Sequence, residues 1–193
     1  MMNNTPSSDI RSMRAIAAAL DAQRGNLPDL ADPLRSPALG DVARQITAVG
    51  QLIADMGHET LFADARDQEA HAPRVIAGYS AAVGPTSEAA SALGRVAEQL
   101  AFLDRTEHLR DQPDADDARE AAVGVIDEAL GTAQTTLRAA ADSLRVAAMT
   151  VSPPSVRLRA ALSRSTAVPS VTAPDPAPPR MPADPASPAR RGR

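Results

Sequence analysis

The side chains of this chain best suited to chemistry are three histidines, His58, His71 and His108, because the sequence contains neither cysteine nor lysine. Each has a carboxylate at helical spacing. Asp55 precedes His58 by three residues, and Asp67 and Asp104 precede His71 and His108 by four, so each pair falls on one helix face. Helical bundles hold metal ions with inward-facing imidazoles and carboxylates of this kind. A di-iron bundle, however, needs two Glu-x-x-His motifs and two further glutamates, and no Glu-x-x-His occurs. Surface histidines and no cofactor are the expectation, and the alternative is a metal-binding helical-bundle enzyme using His58, His71 and His108. That alternative requires the three imidazoles to converge, since metal–ligand bonds are only about 2 Å long.

Other reactive constellations are missing from the sequence. Without cysteine there is no thiolate nucleophile, disulfide or Cys-ligated zinc. Without lysine there is no phosphate-binding loop of the usual form. Serines and threonines are frequent, but no Gly-x-Ser-x-Gly turn presents one as a nucleophile. Glu98, Asp127, Glu128 and Asp142 read as solvated carboxylates on helix surfaces.

The elements that position these side chains must be helices. Phe62, Tyr79 and Phe102 carry the only benzene rings and tryptophan is absent, so alanine and leucine must fill any core. Both favour helix, whereas strands want β-branched and aromatic residues. Apolar positions in 3-4 alternation then mark the helices. The first, about 7–23, carries Ile10, Met13, Ala17 and Leu20. The second, about 37–57, carries Leu39, Val42, Ile46, Val49, Ile53 and Met56, with Ser36 as cap, Pro37 in the first turn and Gly57 as terminator. The third, about 74–110, keeps its phase from Val75 through Tyr79, Ala82, Thr86, Ala89, Leu93, Val96 and Leu100 to Leu103. That phase crosses Gly84-Pro85 unbroken, which favours one kinked helix over two.

The fourth, about 115–151, spaces Val123, Leu130, Leu137, Leu144 and Val151 by seven, with Ile126, Ala133, Ala140 and Ala147 between them. Alternation of large and small residues lets a neighbouring backbone approach toward the lower end of the roughly 8–10 Å range. The two long helices would each extend roughly 55 Å and are joined too tightly for anything but an antiparallel hairpin. The expected fold is therefore all-α: an elongated antiparallel bundle of four main helices over residues 1–151, dominated by the C-terminal hairpin. The acid-rich stretch 58–72 breaks the phase of the second helix and reads as a loop or short helix over the part of the hairpin that the shorter pair leaves open.

Residues 1–151 carry a net charge of −9 and residues 152–193 carry +5. Ten of the 17 prolines lie in the second segment, which predicts a disordered basic tail. Its "VRLRAALSR", 156–164, can place Val156, Ala160 and Ala161 on one helix face, and Arg157, Arg159, Arg164, Arg190, Arg191 and Arg193 are candidate contacts for an acidic surface. A nucleic-acid partner is not expected. These arginines are spread thinly with no aromatic side chains between them for base stacking, and the body is acidic with long helices. Exclusive use of arginine, with much alanine, aspartate and proline, reads as GC-rich coding bias, and an actinobacterial origin is the expectation. No stretch approaches the roughly 18 apolar residues of a membrane span, and the beginning lacks a secretory signal, so a cytoplasmic protein is expected. The functional expectation is a non-enzymatic interaction or structural protein. It would make coiled-coil-like contacts with a protein partner or a second copy, using the seam Val123, Leu130, Leu137, Leu144 and Val151. A ligand cavity near Tyr79 and Phe102 is a further possibility.

Overall fold

The apolar alternation resolves into four α-helices in a computed structural model of the chain, which describes residues 6–28, 37–66 and 68–151. These are α1 (Pro6–Gly25), α2 (Leu39–Asp64), α3 (Ala72–Arg105) and α4 (Pro113–Val151), with a 3-10 turn at Glu107–Leu109 before α4. All described residues belong to one contact unit, Met1–Pro153. The proposed tail contacts from Arg157 to Arg193 lie outside the described residues.

Helix starts follow local chemistry. Pro6, Pro73 and Pro113 stand in first turns, where a missing N–H leaves no bond unmade. Asp9, Asp41, Asp114 and Asp116 place negative charge where the helix dipole favours it. The second helix departs from expectation at both ends. Pro37 stands before it rather than in its first turn, and Ala38 precedes Leu39 without a side-chain cap. Gly57 does not end it, and the helix continues through Asp64. The reason is that the inward line passes from Met56 to the smaller Thr60 and Ala63, while Leu61 and Phe62 point outward, each 67% exposed. Residues 58–64 are thus helix, and residues 65, 66 and 68–71 lie in turns between α2 and α3. These turns sit at the opposite end of α3 from the α3–α4 connection, so this stretch does not cover the closed end of the hairpin.

Helix α3 passes Gly84-Pro85 as a single element. Pro85 has no N–H to give to the Ala81 carbonyl, and beside it the Thr86 hydroxyl donates to the Ala82 carbonyl at 2.8 Å. The helix stops at Arg105, short of the expected 110, because Arg119 of α4 takes over its end. Arg119 Nη1 donates to the Leu103 carbonyl at 2.6 Å and to Thr106 Oγ1 at 3.1 Å, and Nη2 meets Glu107 Oε2 at 2.6 Å. A cation on the last carbonyls both fills an orphan acceptor and opposes the dipole. Arg110 and Arg119 together hold the Glu107 carboxyl below the usual carboxylate range.

Packing follows the hairpin. The most extensive contact is α3 on α4, then α2 on α3 and α1 on α4, with a light contact between α1 and α2. Gly78 lies against Ala147 while the Leu103 carbonyl lies against Arg119, so α3 and α4 run antiparallel. At the first of these points the helices are as close as they can be. A Cβ at residue 78 would stand 2.5 Å from the Ala147 Cβ and 3.2 Å from the Met13 Cε, so only glycine fits. Gln45 reaches the Gln23 carbonyl at 2.7 Å and Ser12 reaches Glu59 at 2.9 Å, which makes α1 and α2 antiparallel as well. Arg145 of α4 bonds Asp21 of α1 and Asp142, fastening α1 to the hairpin.

On α4 the seven-residue line holds at one end and drifts at the other. Leu130, Leu137, Leu144 and Val151 are buried, whereas Val123 is 50% exposed and Ala122 takes the inward place. A straight helix turns about 20° per heptad against a strict seven-residue repeat. From Val151 back to Val123 is four heptads, roughly 80°, nearly one residue's rotation.

Candidate functional site

Charged residues collect inside one end of the bundle. Asp9, near the start of α1, is 2% exposed although it is a carboxylate in a first turn. Arg66, from the α2–α3 turn, donates from Nη2 to Asp9 Oδ1 at 3.1 Å. His71 Nε2 lies 3.0 Å from Asp9 Oδ2; an ionised carboxylate only accepts, so the imidazole N–H donates. The same nitrogen is 3.3 Å from Glu69 Oε2, and Arg66 Nη1 is 3.9 Å from that oxygen. The cluster therefore pins α1 to the α2–α3 turn with charge-assisted bonds, which are the stronger kind.

Tyr79 closes the floor of this end. Its side chain is fully buried, and among the described residues its hydroxyl has no hydrogen-bond partner of good geometry. Burial pushes the phenol pKa up to about 12, while the nearby Ser12 hydroxyl, which donates to Glu59, pulls weakly the other way. The hydroxyl therefore stays protonated at neutral pH. The sequence carried no local sign of this cluster, because Asp9 meets Arg66 and His71 across separations of 57 and 62 residues.

The other candidate residues are scattered. His58 is exposed on α2, His108 is exposed in the 3-10 turn, and only His71 is drawn inward. His71 precedes α3 and His108 follows it, and 34 helical residues at about 1.5 Å each separate them by roughly 50 Å. A site using all three imidazoles is geometrically impossible. Among the described residues no group of three or more His, Asp and Glu side chains is placed to hold a metal ion. Asp67, the expected companion of His71, lies outside the described residues, and Glu98, Asp127, Glu128 and Asp142 are all exposed. Tyr79 and Phe102 lie about 35 Å apart along α3 and share no cavity.

What the hairpin does present is an open groove on the solvent side of α3 and α4, with a volume of about 690 Å³. Its floor is made of small side chains: Ala77, Gly78 and Ala81 from α3, and Ala139, Ser143 and Ala147 from α4. Arg74 and Asp142 stand on its rims, and Val146 and Thr150 complete the α4 side. Val146 is 55% exposed and Met149, one turn of chain beyond it, is 63% exposed. The thin surface follows from the close approach of the helices at Gly78 and Ala147.

Fold and groove together define an all-α four-helix bundle with an apolar outer face on its long hairpin. No family model, curated protein sequence or solved structure matches the chain. Among the described residues no helix is long and apolar enough to cross a membrane.

Proposed function

We propose that this chain is a non-enzymatic interaction protein that works by presenting the outer face of the α3–α4 hairpin to another protein. The single observation that carries the reading is the groove itself, apolar, open and lined by exposed Val146. Exposed apolar surface that is contiguous rather than scattered marks a contact site. The polar residues add to it by what they do not offer. Asp9, Arg66, Glu69 and His71 are tied to one another, which leaves a structural fastening in place of a reactive centre. The seam from Leu130 to Val151 serves the chain's own core, so the surface offered to a partner is the neighbouring face of α4 that carries Ala139, Ser143 and Val146.

The test is residue-specific photo-crosslinking of the full chain in cells. A photo-reactive amino acid at Val146 should yield covalent protein adducts, while the same group at Glu120, exposed near the far end of α4, should yield few. Equal labelling at the two positions, or none at Val146, would contradict the proposal.

A further inference from the structure

We infer that the partner is a second copy of this chain, docked face to face on the α3–α4 groove about a two-fold axis that crosses the helices at Gly78 and Ala147. The inference rests on the association reading above and adds the partner's identity. It comes from where the groove places its charges. Gly78 and Ala147 mark one level along the hairpin. Arg74 lies four residues before Gly78 on α3, and Asp142 lies five residues before Ala147 on α4. Because the helices are antiparallel, these steps run in opposite directions, about 6 Å and about 7.5 Å from that level at 1.5 Å per residue.

A two-fold axis lying in the face and perpendicular to the helices reverses the long direction and leaves the sides of the groove unchanged. It therefore brings the partner's Arg74 to the level of Asp142, one groove-width away, which an arginine side chain spans. Symmetry repeats the pair at the other end, so one surface supplies two opposite-charge contacts to a copy of itself. Arg74 is exposed and forms no ion pair within the chain among the described residues, whereas Asp142 is exposed and paired within its own helix with Arg145 at 2.8 Å and Arg138 at 3.8 Å, so the partner's Arg74 adds to a carboxylate that already holds two arginines.

The apolar residues obey the same axis. Val146 is one residue from Ala147 and so sits almost on the two-fold, where it meets the partner's Val146 over the small floor. An apolar centre with charges at the rim is the usual anatomy of an interface, and self-complementarity is what a two-fold contact demands.

The natural lack of cysteine gives a direct experiment on the full chain. Under mild oxidation with copper phenanthroline, Val146→Cys should form a covalent dimer and Glu120→Cys should not. Sedimentation should show Arg74→Asp and Asp142→Arg each raising the dimer dissociation constant at least about tenfold, since each sets like charges against one another. Mixing these two variants should restore the dimer, because each then faces opposite charges on the other. Matching helical circular dichroism of the variants guards against loss of fold as the cause. A wild-type chain that stays monomeric, a dimer indifferent to both reversals, or variants that do not recombine would overturn the inference. Photo-adducts at Val146 that contain only other proteins would overturn it too, while leaving the association reading standing.

Discussion

Asp9 and Tyr79 are where single side chains carry the most consequence. Removing one member of a buried ion pair strands the other charges, at a cost of about 3–5 kcal/mol in a dry interior. The side chains of Arg66 and His71 are 18% and 15% exposed, so water offsets part of this. We expect Asp9→Ala to lower stability by about 2–3 kcal/mol in urea denaturation. Asp41→Ala, which breaks the exposed pair with Arg44, should change it by less than about 1 kcal/mol. Similar losses for the two would mean that the Asp9 cluster is not a fastening. Tyr79 is the only tyrosine and tryptophan is absent, so phenolate absorbance reports one group. It should titrate near pH 12 in the folded chain and near 10.0 when unfolded in urea. A folded pKa above the unfolded one means stability that is intact below pH 10 and lost as pH rises toward 12, about 3 kcal/mol at most. Overlapping titrations of folded and unfolded chain would contradict the burial.

Elements were legible in the sequence wherever large apolar residues pointed inward. The α3 seam from Val75 to Val96 and the α4 seam from Leu130 to Val151 are such stretches, and their spacing alone located both arms of the hairpin. The end of α2 was not legible, because its inward line passes to Thr60 and Ala63 while Leu61 and Phe62 face out. A hydrophobic count there gives the wrong face. Val123 misled for a different reason, the slow rotation of a straight helix against a seven-residue repeat. Asp9 could not be recognised at all, since only the folded chain brings Arg66 and His71 to it, and the groove depends on a backbone approach at Gly78 that no periodicity records. Pro85 supplies a prediction at this scale. It sits inside α3 without an N–H to donate, and proline in a helix interior is about 3 kcal/mol worse than alanine. Pro85→Ala should raise stability by about 1–3 kcal/mol in urea denaturation. A loss would show that the proline ring makes packing contacts worth more than the missing bond.

At the scale of the whole molecule, the division of labour is between two sides of the hairpin. Its inner side is used up by α1 and α2 and by the polar fastening at one end, and its outer side offers small residues, two rim charges and exposed Val146. Sedimentation equilibrium of the full chain from low to high micromolar concentration tests this most directly. The account predicts a mean mass that rises from 20.0 kDa toward twice that value, and a Val146→Asp variant that stays at 20.0 kDa throughout. A wild-type mass fixed at 20.0 kDa across the series, or a rise that Val146→Asp leaves unchanged, would contradict it.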